Sequence, residues 1–149
     1  MKIFLGADYR GFEKKQFLLE KLAKTGHEVY DAGAYEYSEG DDFNDPAIRV
    51  ATEVRDNFGS RGILICDSAH GMTMQANRFL GVRAAHCATE ESAKLAREHD
   101  DANVLCLSAH FLDDATIGRI VEAFLNTDFK PLERRVRRVN RLDERGDYA

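Results

Sequence analysis

Cys66 ends an apolar stretch at a place where a thiol can take part in a reaction. Residues 62–66 read as a buried strand, and the residues after it turn sharply into a helix that opens near Gly71. Such a turn directs free backbone N–H groups and the positive end of the helix dipole at whatever lies above the strand. There the pKa of a thiol can be lowered, which makes it a usable base or nucleophile. The alternative is that Cys66 is only the last buried residue of the strand.

The arginine-rich segment that follows Pro131 is the second candidate for chemistry. As a helix it places Arg134, Arg138 and Arg141 roughly along one stripe, next to an aliphatic stripe. Guanidinium groups one turn apart can bind a single phosphate together. The same pattern suits a solvated amphipathic helix that docks through its aliphatic side, and nucleic acid is a third possible partner.

Short apolar runs and helical patterns alternate along the chain and must hold these residues in place. Strands are predicted over 2–7, 27–31, 62–66, 82–87 and 103–107, with helices from Phe12, from Pro46, near Gly71, over 90–99 and from Asp113. This alternation predicts βαβ units, and hence a three-layer αβα fold with a five-stranded parallel sheet covered on both faces. In such sheets ligands bind at the carboxyl ends of the strands, near the point where the strand order reverses.

Polar residues follow several of the predicted strands at that edge. They are Asp8, Tyr9 and Arg10 after the first strand, Asp67 and Ser68 after the third, and Ser108 and His110 after the fifth. The connection over 32–45 is rich in glycine and acidic residues, and its length indicates a function.

Composition narrows the class of protein. With 149 residues the chain is expected to form one domain over 1–149, with residues 130–149 as a C-terminal arm. The net charge of −5 is the opposite of the positive charge typical of proteins that bind nucleic acid or anionic membranes. Three widely spaced cysteines fit neither a disulfide framework nor a metal pair, and no apolar run approaches the length of a membrane span. We therefore expect a cytoplasmic protein with reduced thiols.

A family resemblance covers nearly the whole chain. It is carried, in order, by Gly6-Ala-Asp-Tyr-Arg-Gly-Phe12, by Gly62-Ile-Leu-Ile-Cys-x-Ser-x-x-Gly-Met72, by Gly81-Val-Arg-Ala-Ala85, by the segment 96–105 and by the arginines from 134 onward. Together these motifs resemble the ribose-5-phosphate isomerase B family, which includes galactose-6-phosphate and allose-6-phosphate isomerases. The resemblance implies a Rossmann-like sheet, no metal or nucleotide cofactor, and a homodimer or tetramer. It also implies that each active site is built by two subunits and that the C-terminal helix reaches the partner.

The resemblance also implies roles for individual residues. Cys66 matches the base that takes a proton from the carbon beside the sugar carbonyl. His99 matches the acid–base group that assists ring opening. Ser68, with the backbone N–H groups of residues 67–71, would bind the enediolate. The remaining matches are Asp8 and Asn103 for sugar oxygens and Arg134 and Arg138 for the phosphate.

Several of these residues have plainer explanations. His99 could be a histidine at a helix end that interacts with the dipole. Asp8 could cap the following helix, and Asn103 could hydrogen-bond a turn.

The sequence departs from the family pattern around the ligand. Asp67 and Ala69 replace glycines, and an Asp67 carboxylate would repel an enediolate and raise the pKa of Cys66 unless it is paired. Tyr9-Arg10 replaces a histidine-containing pair, so Arg10 or His70 would have to supply the lost phosphate contact. His110 stands where an arginine is expected.

The leading hypothesis is an aldose–ketose isomerase of a phosphorylated sugar, by default ribose 5-phosphate to ribulose 5-phosphate. An isomerase of another tetrose, pentose or hexose phosphate is an alternative, as is a non-catalytic sugar-phosphate-binding protein.

Overall fold

The computed structural model describes residues 1–144 and contains one sheet of five parallel strands. The strands lie in the order β2-β1-β3-β5-β4. Their bounds are Lys2–Ala7 (β1), Glu28–Asp31 (β2), Arg61–Cys66 (β3), Ala84–His86 (β4) and Val104–Ser108 (β5). The five-stranded parallel sheet predicted from the sequence is confirmed.

Helices cover both faces of the sheet. They are Phe12–Leu22 (α1), Asn44–Asp56 (α2), His70–Ala76 (α3), Glu90–Asp100 (α4), Asp114–Leu125 (α5) and Glu133–Leu142 (α6). Apolar residues of α1, α4 and α5 pack with one set of strand side chains, such as Ile63 and Leu105. Residues of α2 and α3 pack with the alternate set, which includes Leu64, Cys66 and Cys106. This alternation gives each face its own hydrophobic core.

The switch in strand order falls between β1 and β3. The chain passes from β1 outward to β2, then returns past β1 to β3 and the remaining strands. Ala7 and Ile65 are paired in the register, so the residues that follow β1 and β3 meet at this point. The switch point, where ligands bind in sheets of this kind, therefore lies beside Asp8 and Cys66.

The fourth strand is shorter than the predicted range 82–87. The regular β4–β5 pairing begins at Ala84. The carbonyl oxygen of the preceding Arg83 instead accepts hydrogen bonds from the N–H groups of both Asn103 and Val104. The side chain of Asn77 bonds both backbone groups of Ala84, which ties the end of α3 to the start of β4.

Helix α6 docks on the end of α4. Lys130 donates its backbone N–H to the carbonyl oxygen of Glu98 at 3.1 Å, and Val139 is the buried residue of the helix. The predicted arm over 130–149 thus contains a helix, and residues 145–149 lie outside the described part. Among residues 1–144, no helix has both the length and the apolar character that a membrane crossing requires.

Candidate active site

Asp8 lies buried beside Cys66 at the switch point. It is 6% exposed, and its Oδ1 accepts a hydrogen bond from the N–H of Gly11 at 3.0 Å. Burial raises the pKa of Asp8, and the nearby carboxylates of Asp41 and Asp67 raise it further, against backbone hydrogen bonds that lower it. Asp8 thus closes the turn that precedes α1 and borders the thiol; the N-cap residue of α1 is Gly11, without a side-chain cap, so the explanation of Asp8 as the cap of this helix is wrong.

The Cys66 thiol is 5% exposed and lies against the turn that begins α3. The backbone N–H groups of Ala69 and Met72 hydrogen-bond the sulfur and lower its pKa. Burial raises that pKa by more, and the charges of Asp8 and Asp67 act in the same direction, so the net shift is upward. The expected lowering of the Cys66 pKa is therefore wrong, because desolvation and neighbouring carboxylates outweigh the two N–H groups.

Ala69 shows what the loss of glycine does to this turn. Its φ is 70°, in the left-handed region that favours glycine, and it is the N-cap residue of α3. An L-residue other than glycine in this conformation costs about 1–2 kcal/mol. Ala69 therefore holds this turn at an energetic cost that a glycine would not have.

The connection between β2 and α2 forms one wall beside the turn. Asp41 Oδ1 accepts the N–H of Tyr9 at 2.9 Å, and the ring of Tyr37 meets the Tyr9 ring edge-on at 6.1 Å. Phe43 lies directly over Gly71, where a Cβ would come within 2.5 Å of the Phe43 ring. Gly71 is therefore needed for the close approach of this wall to α3.

A buried lysine anchors the same connection. Lys15 is fully buried and donates from Nζ to Asp31 Oδ1 and to the carbonyl oxygen of Ala34, both at 2.6 Å. This places α1 in direct contact with the start of the wall.

Two groups of basic side chains lie near Cys66 at the outer border of the carboxyl edge of the sheet, called the rim below. Arg10 is exposed and its guanidinium lies 5.2 Å from the centre of the Tyr9 ring. The rings of His70 and His86 are 5.6 Å apart, and burial followed by the charge of His70 lowers the pKa of His86. The N–H of His70 lies 3.4 Å from the Ser68 hydroxyl oxygen.

Asp67 faces His110 across the rim. Its Oδ1 lies 3.5 Å from His110 Nδ1, and the two side chains are 54% and 60% exposed. The carbonyl oxygen of Asp67 also accepts the N–H of His110 at 3.1 Å and the Ser108 hydroxyl at 2.6 Å. The side chain of Asp67 therefore lies within ion-pair distance of the His110 ring, and the backbone joins the two residues as well.

The remaining predicted residues lie at the opposite edge of the sheet. His99 is half-buried in the last turn of α4, which runs back from the carboxyl ends of the strands to their amino ends. Asn103 directly precedes β5, and α6 with Arg134 and Arg138 packs on the end of α4. One chain therefore holds two separate groups of predicted site residues.

The separation follows from the register of β3 and β5. Gly62 pairs with Val104 at one end of this ladder and Cys66 pairs with Ser108 at the other. Four residues of strand span about 13 Å. Cys66 and His99 of the same chain consequently do not face one site.

Within a single chain, Asn103 holds the turn before β4 in place. Its Oδ1 accepts the N–H of Arg83 at 2.8 Å, and its Nδ2 donates to the carbonyl oxygen of Gly81 at 2.7 Å. Both ends of the amide are thus occupied by the turn before β4, as the plainer explanation of Asn103 held.

Arg134 and Arg138 are both exposed on α6. Their neighbour Arg135 is half-buried and directs Nη1 toward the carbonyl oxygens of Glu98 and Lys130, each at 3.3 Å. Arg135 therefore helps to dock the helix, while the two predicted phosphate ligands point away from the chain's own core.

Comparison with known proteins assigns the family. Residues 3–142 match the family model described as Ribose/Galactose Isomerase. The chain is 37% identical to ribose-5-phosphate isomerase B of Mycobacterium tuberculosis over 144 residues, which cover 97% of this chain and 89% of the relative. The chain belongs to the ribose/galactose isomerase family. It is also 39% identical to a probable ribose-5-phosphate isomerase B of Mycoplasma genitalium, over 94% of this chain and 92% of that one.

Solved structures agree with this family and fold. The structure of ribose-5-phosphate isomerase B from Mycoplasma genitalium with bound ribulose 5-phosphate superposes with a TM-score of 0.91 at 38% identity, covering 95% of this chain and 93% of that one. The Thermotoga maritima ribose 5-phosphate isomerase gives a TM-score of 0.91 at 36% identity, covering 97% and 98%. The family that the motifs predicted is confirmed.

Sequence analysis did not single out several residues that lie at this edge of the sheet. Asp41, Tyr37 and Phe43 were seen only as parts of a long acidic connection, whose length was the one available signal. His86 is a strand residue as predicted, the last of β4, but its contact with the His70 ring was not predicted. Within residues 1–144 there is no cluster of three or more metal-binding side chains.

Proposed function

We propose that this chain interconverts an aldose phosphate and its ketose, with ribose 5-phosphate and ribulose 5-phosphate as the substrate pair. The observation that carries the proposal is the placement of Cys66 at the switch point, under two backbone N–H donors, in a chain of this family. Relatives named ribose-5-phosphate isomerase B match almost the full length of the chain, and one solved relative binds ribulose 5-phosphate.

In this mechanism Cys66 is the base. Its thiolate removes the proton from C2 of the open-chain aldose, and the electron pair of that bond forms the C1–C2 double bond while O1 takes the negative charge. A proton moves from O2 to O1, which leaves the negative charge on O2. As O2 forms the C2=O double bond, the electrons of the C1–C2 double bond take the proton back from Cys66 at C1, which gives the ketose and restores the thiolate. Ser68 and the backbone N–H groups of the turn over 67–71 stabilise the enediolate oxygens.

Binding of the sugar uses the same edge of the sheet. Asp8 lies next to the thiol and accepts hydrogen bonds from sugar hydroxyls in this proposal. Arg10 and His70 supply positive charge at the rim, where the family has other residues. Carboxylates of Asp8, Asp41 and Asp67 surround this edge, so the phosphate needs cations from elsewhere.

We propose that a second copy of the chain completes each site. His99 would open the sugar ring, and Arg134 and Arg138 would bind the phosphate, from the α4–α6 end of that copy. The separation of the two groups within one chain supports this arrangement. Two exposed apolar side chains, Leu132 at the N-cap of α6 and Leu142 at its end, provide a surface for the contact. Two-fold symmetry would give a homodimer, or a tetramer of two such pairs, with equivalent shared sites.

The substrate pair has one competing assignment. Tyr9, Arg10 and Asp67 change the sugar-binding edge, which favours a different tetrose, pentose or hexose phosphate over a change of reaction.

We also propose a cytoplasmic location, because all three cysteines are free and buried.

The test is a panel of aldose and ketose phosphates of four to six carbons incubated with the purified protein in D₂O. Proton NMR follows both product formation and exchange at the carbon beside the carbonyl. We expect turnover and exchange with ribose 5-phosphate, and loss of both in Cys66→Ala with binding retained. Binding without exchange for every sugar would instead establish the non-catalytic binding protein.

A further inference from the structure

Helix α6 has little apolar packing against its own chain. Val139, which is 8% exposed, is the buried residue among its ten, whereas Val136 and Leu142 are 36% and 61% exposed. A surface helix is normally held in place by the apolar face that it buries. The position of α6 within the chain therefore depends on polar contacts, which lie at its two ends.

The start of α6 is joined to Glu98, which directly precedes His99. The backbone N–H of Lys130 donates to the carbonyl oxygen of Glu98 at 3.1 Å, and Lys130 Nζ lies 2.8 Å from Glu98 Oε1. Arg135 Nη1 donates to the same carbonyl oxygen at 3.3 Å. These contacts fix where the helix begins, but one fixed end does not set the direction of a helix.

The end of α6 is held by Arg83. Nη1 of this guanidinium lies 3.1 Å from Oδ2 of Asp143, the C-cap residue of α6. Its Nη2 donates to Oδ2 of Asp101 at 3.0 Å, and its Nε donates to the Asp101 carbonyl oxygen at 2.9 Å. Asp101 is the C-cap residue of α4 and lies two residues after His99. One side chain thus binds the ends of both helices.

Asp101 is itself anchored in the core. Its backbone has a φ of 47°, in the left-handed region, and its Oδ1 accepts a hydrogen bond from Arg97 Nη1 at 2.8 Å. Arg97 is 2% exposed and also donates to two backbone carbonyl oxygens. Arg83 therefore connects a residue fixed by buried contacts to the end of α6.

We propose that Arg83 is a positioning residue that sets the direction of α6 relative to α4 through Asp101 and Asp143. His99 on α4 and the two candidate phosphate ligands on α6 then meet the sugar phosphate as one preassembled unit, so less has to be ordered on binding. The inference rests on the proposed function for its effect on kinetics. The docking of α6 concerns the free protein and can be measured without substrate.

The kinetic test compares two substitutions of Asp143. Asp143→Ala removes one partner of Arg83 and leaves the Asp101 contacts in place. We expect it to raise KM for ribose 5-phosphate by about two- to fivefold with little change in kcat, because the lost pair is partly exposed and phosphate is bound in ground and transition states alike. Asp143→Glu keeps the carboxylate and should restore most of the wild-type KM. A pure charge effect would have the opposite sign, since loss of a negative charge from this helix favours phosphate binding.

Hydrogen exchange tests the docking directly. Amide exchange of residues 133–142, followed by mass spectrometry without substrate, should be faster in Asp143→Ala than in the wild type. In an Arg83→Gln background, Asp143→Ala should not accelerate the exchange further, which would assign the effect to this pair.

A second background links the docking to the phosphate ligands. When Arg134→Ala and Arg138→Ala are combined, adding Asp143→Ala should not raise KM further, because the groups that Arg83 positions are gone. The matched control is Asp114→Ala, which breaks an ion pair of the same 3.1 Å length between α1 and α5 and should change neither readout.

The outcomes distinguish the docking from the reaction. An unchanged or lower KM in Asp143→Ala, unchanged exchange of α6, or an equal rise in KM with and without the α6 arginines would overturn the role of Arg83. Faster exchange of α6 in a protein that turns over no sugar phosphate would support the docking and refute the isomerase function.

Discussion

The ionisation of Cys66 sets the pH range in which proton abstraction can occur. Burial raises the pKa of the thiol, and the Asp8 charge is the next contribution in the same direction. A base with a raised pKa is present as thiolate only toward alkaline pH, and its strength as a base is correspondingly greater. We therefore expect kcat/KM to increase through the alkaline range.

The substitution Asp8→Asn should move this increase to lower pH. The amide would keep an oxygen for the Gly11 N–H but remove the charge next to the sulfur, which lowers the pKa of Cys66. The measurement is the pH dependence of kcat/KM together with Cys66 alkylation. If the increase in kcat/KM stays at the same pH in Asp8→Asn, or moves to higher pH, Asp8 does not act on the thiol through its charge.

From the sequence it was possible to single out Cys66 as a candidate site residue, but not to predict which groups surround it in the structure. Cys66 was assigned from the strand and turn around it, and its position at the switch point agrees with that assignment. The sequence predicted that Asp67 would raise the pKa of Cys66. It could not predict the larger effects of burial and of Asp8, because both depend on packing between β1 and β3. His110 and Asp67 are far apart in sequence, and only the β3–β5 pairing brings them together.

At the scale of elements, the connection between β2 and α2 links the core to the rim of the site. Lys15 anchors its start, and Asp41 and Phe43 near its end contact Tyr9 and Gly71. Periodicity predicted every helix and strand, since amphipathic patterns determine which faces are buried. It could not predict the path of this connection, which depends on a buried lysine and individual polar contacts.

Lys15→Met should therefore affect both stability and substrate binding. It removes the partner of Asp31, which is partly exposed, and the donor to Ala34, so we expect a loss of about 1.5–3 kcal/mol in the free energy of unfolding. KM should rise as well, because the wall that holds Tyr9 loses its anchor. Urea unfolding and steady-state kinetics measure the two effects.

The neighbouring Lys14 provides the control for this substitution. It pairs with the exposed Asp114, so Lys14→Met should cost less than about 1 kcal/mol and leave KM unchanged. Equal effects of the two substitutions would show that the buried pair has no special role.

At the scale of the whole molecule, the sheet separates two groups of residues that one reaction requires. Cys66, Asp8 and Ser68 lie at the carboxyl edge, whereas His99 and the α6 arginines lie at the amino edge. Alternation of strands and helices already implied opposite edges for the two ends of α4. Which surfaces of two subunits would meet could not be predicted from the sequence, because hydrophobic periodicity shows which faces are buried within one chain and not how two chains pack together.

The arginines of α6 should act mainly on substrate affinity. Arg138→Ala is expected to raise KM for the sugar phosphate by about tenfold with a smaller change in kcat, since a guanidinium–phosphate contact is made in both ground and transition states. Arg137→Ala, an exposed neighbour on the same helix, should leave KM unaltered. An unchanged KM in Arg138→Ala would remove this residue from the phosphate site.

Complementation between two inactive variants tests most directly whether Cys66 and His99 from different copies share a site. Cys66→Ala and His99→Asn would be unfolded together, refolded, and assayed for isomerase activity. Random pairing makes about half of the dimers mixed, and each mixed dimer holds one intact site, so the account predicts recovery of about a quarter of wild-type activity. A refolded mixture as inactive as either variant alone would contradict it.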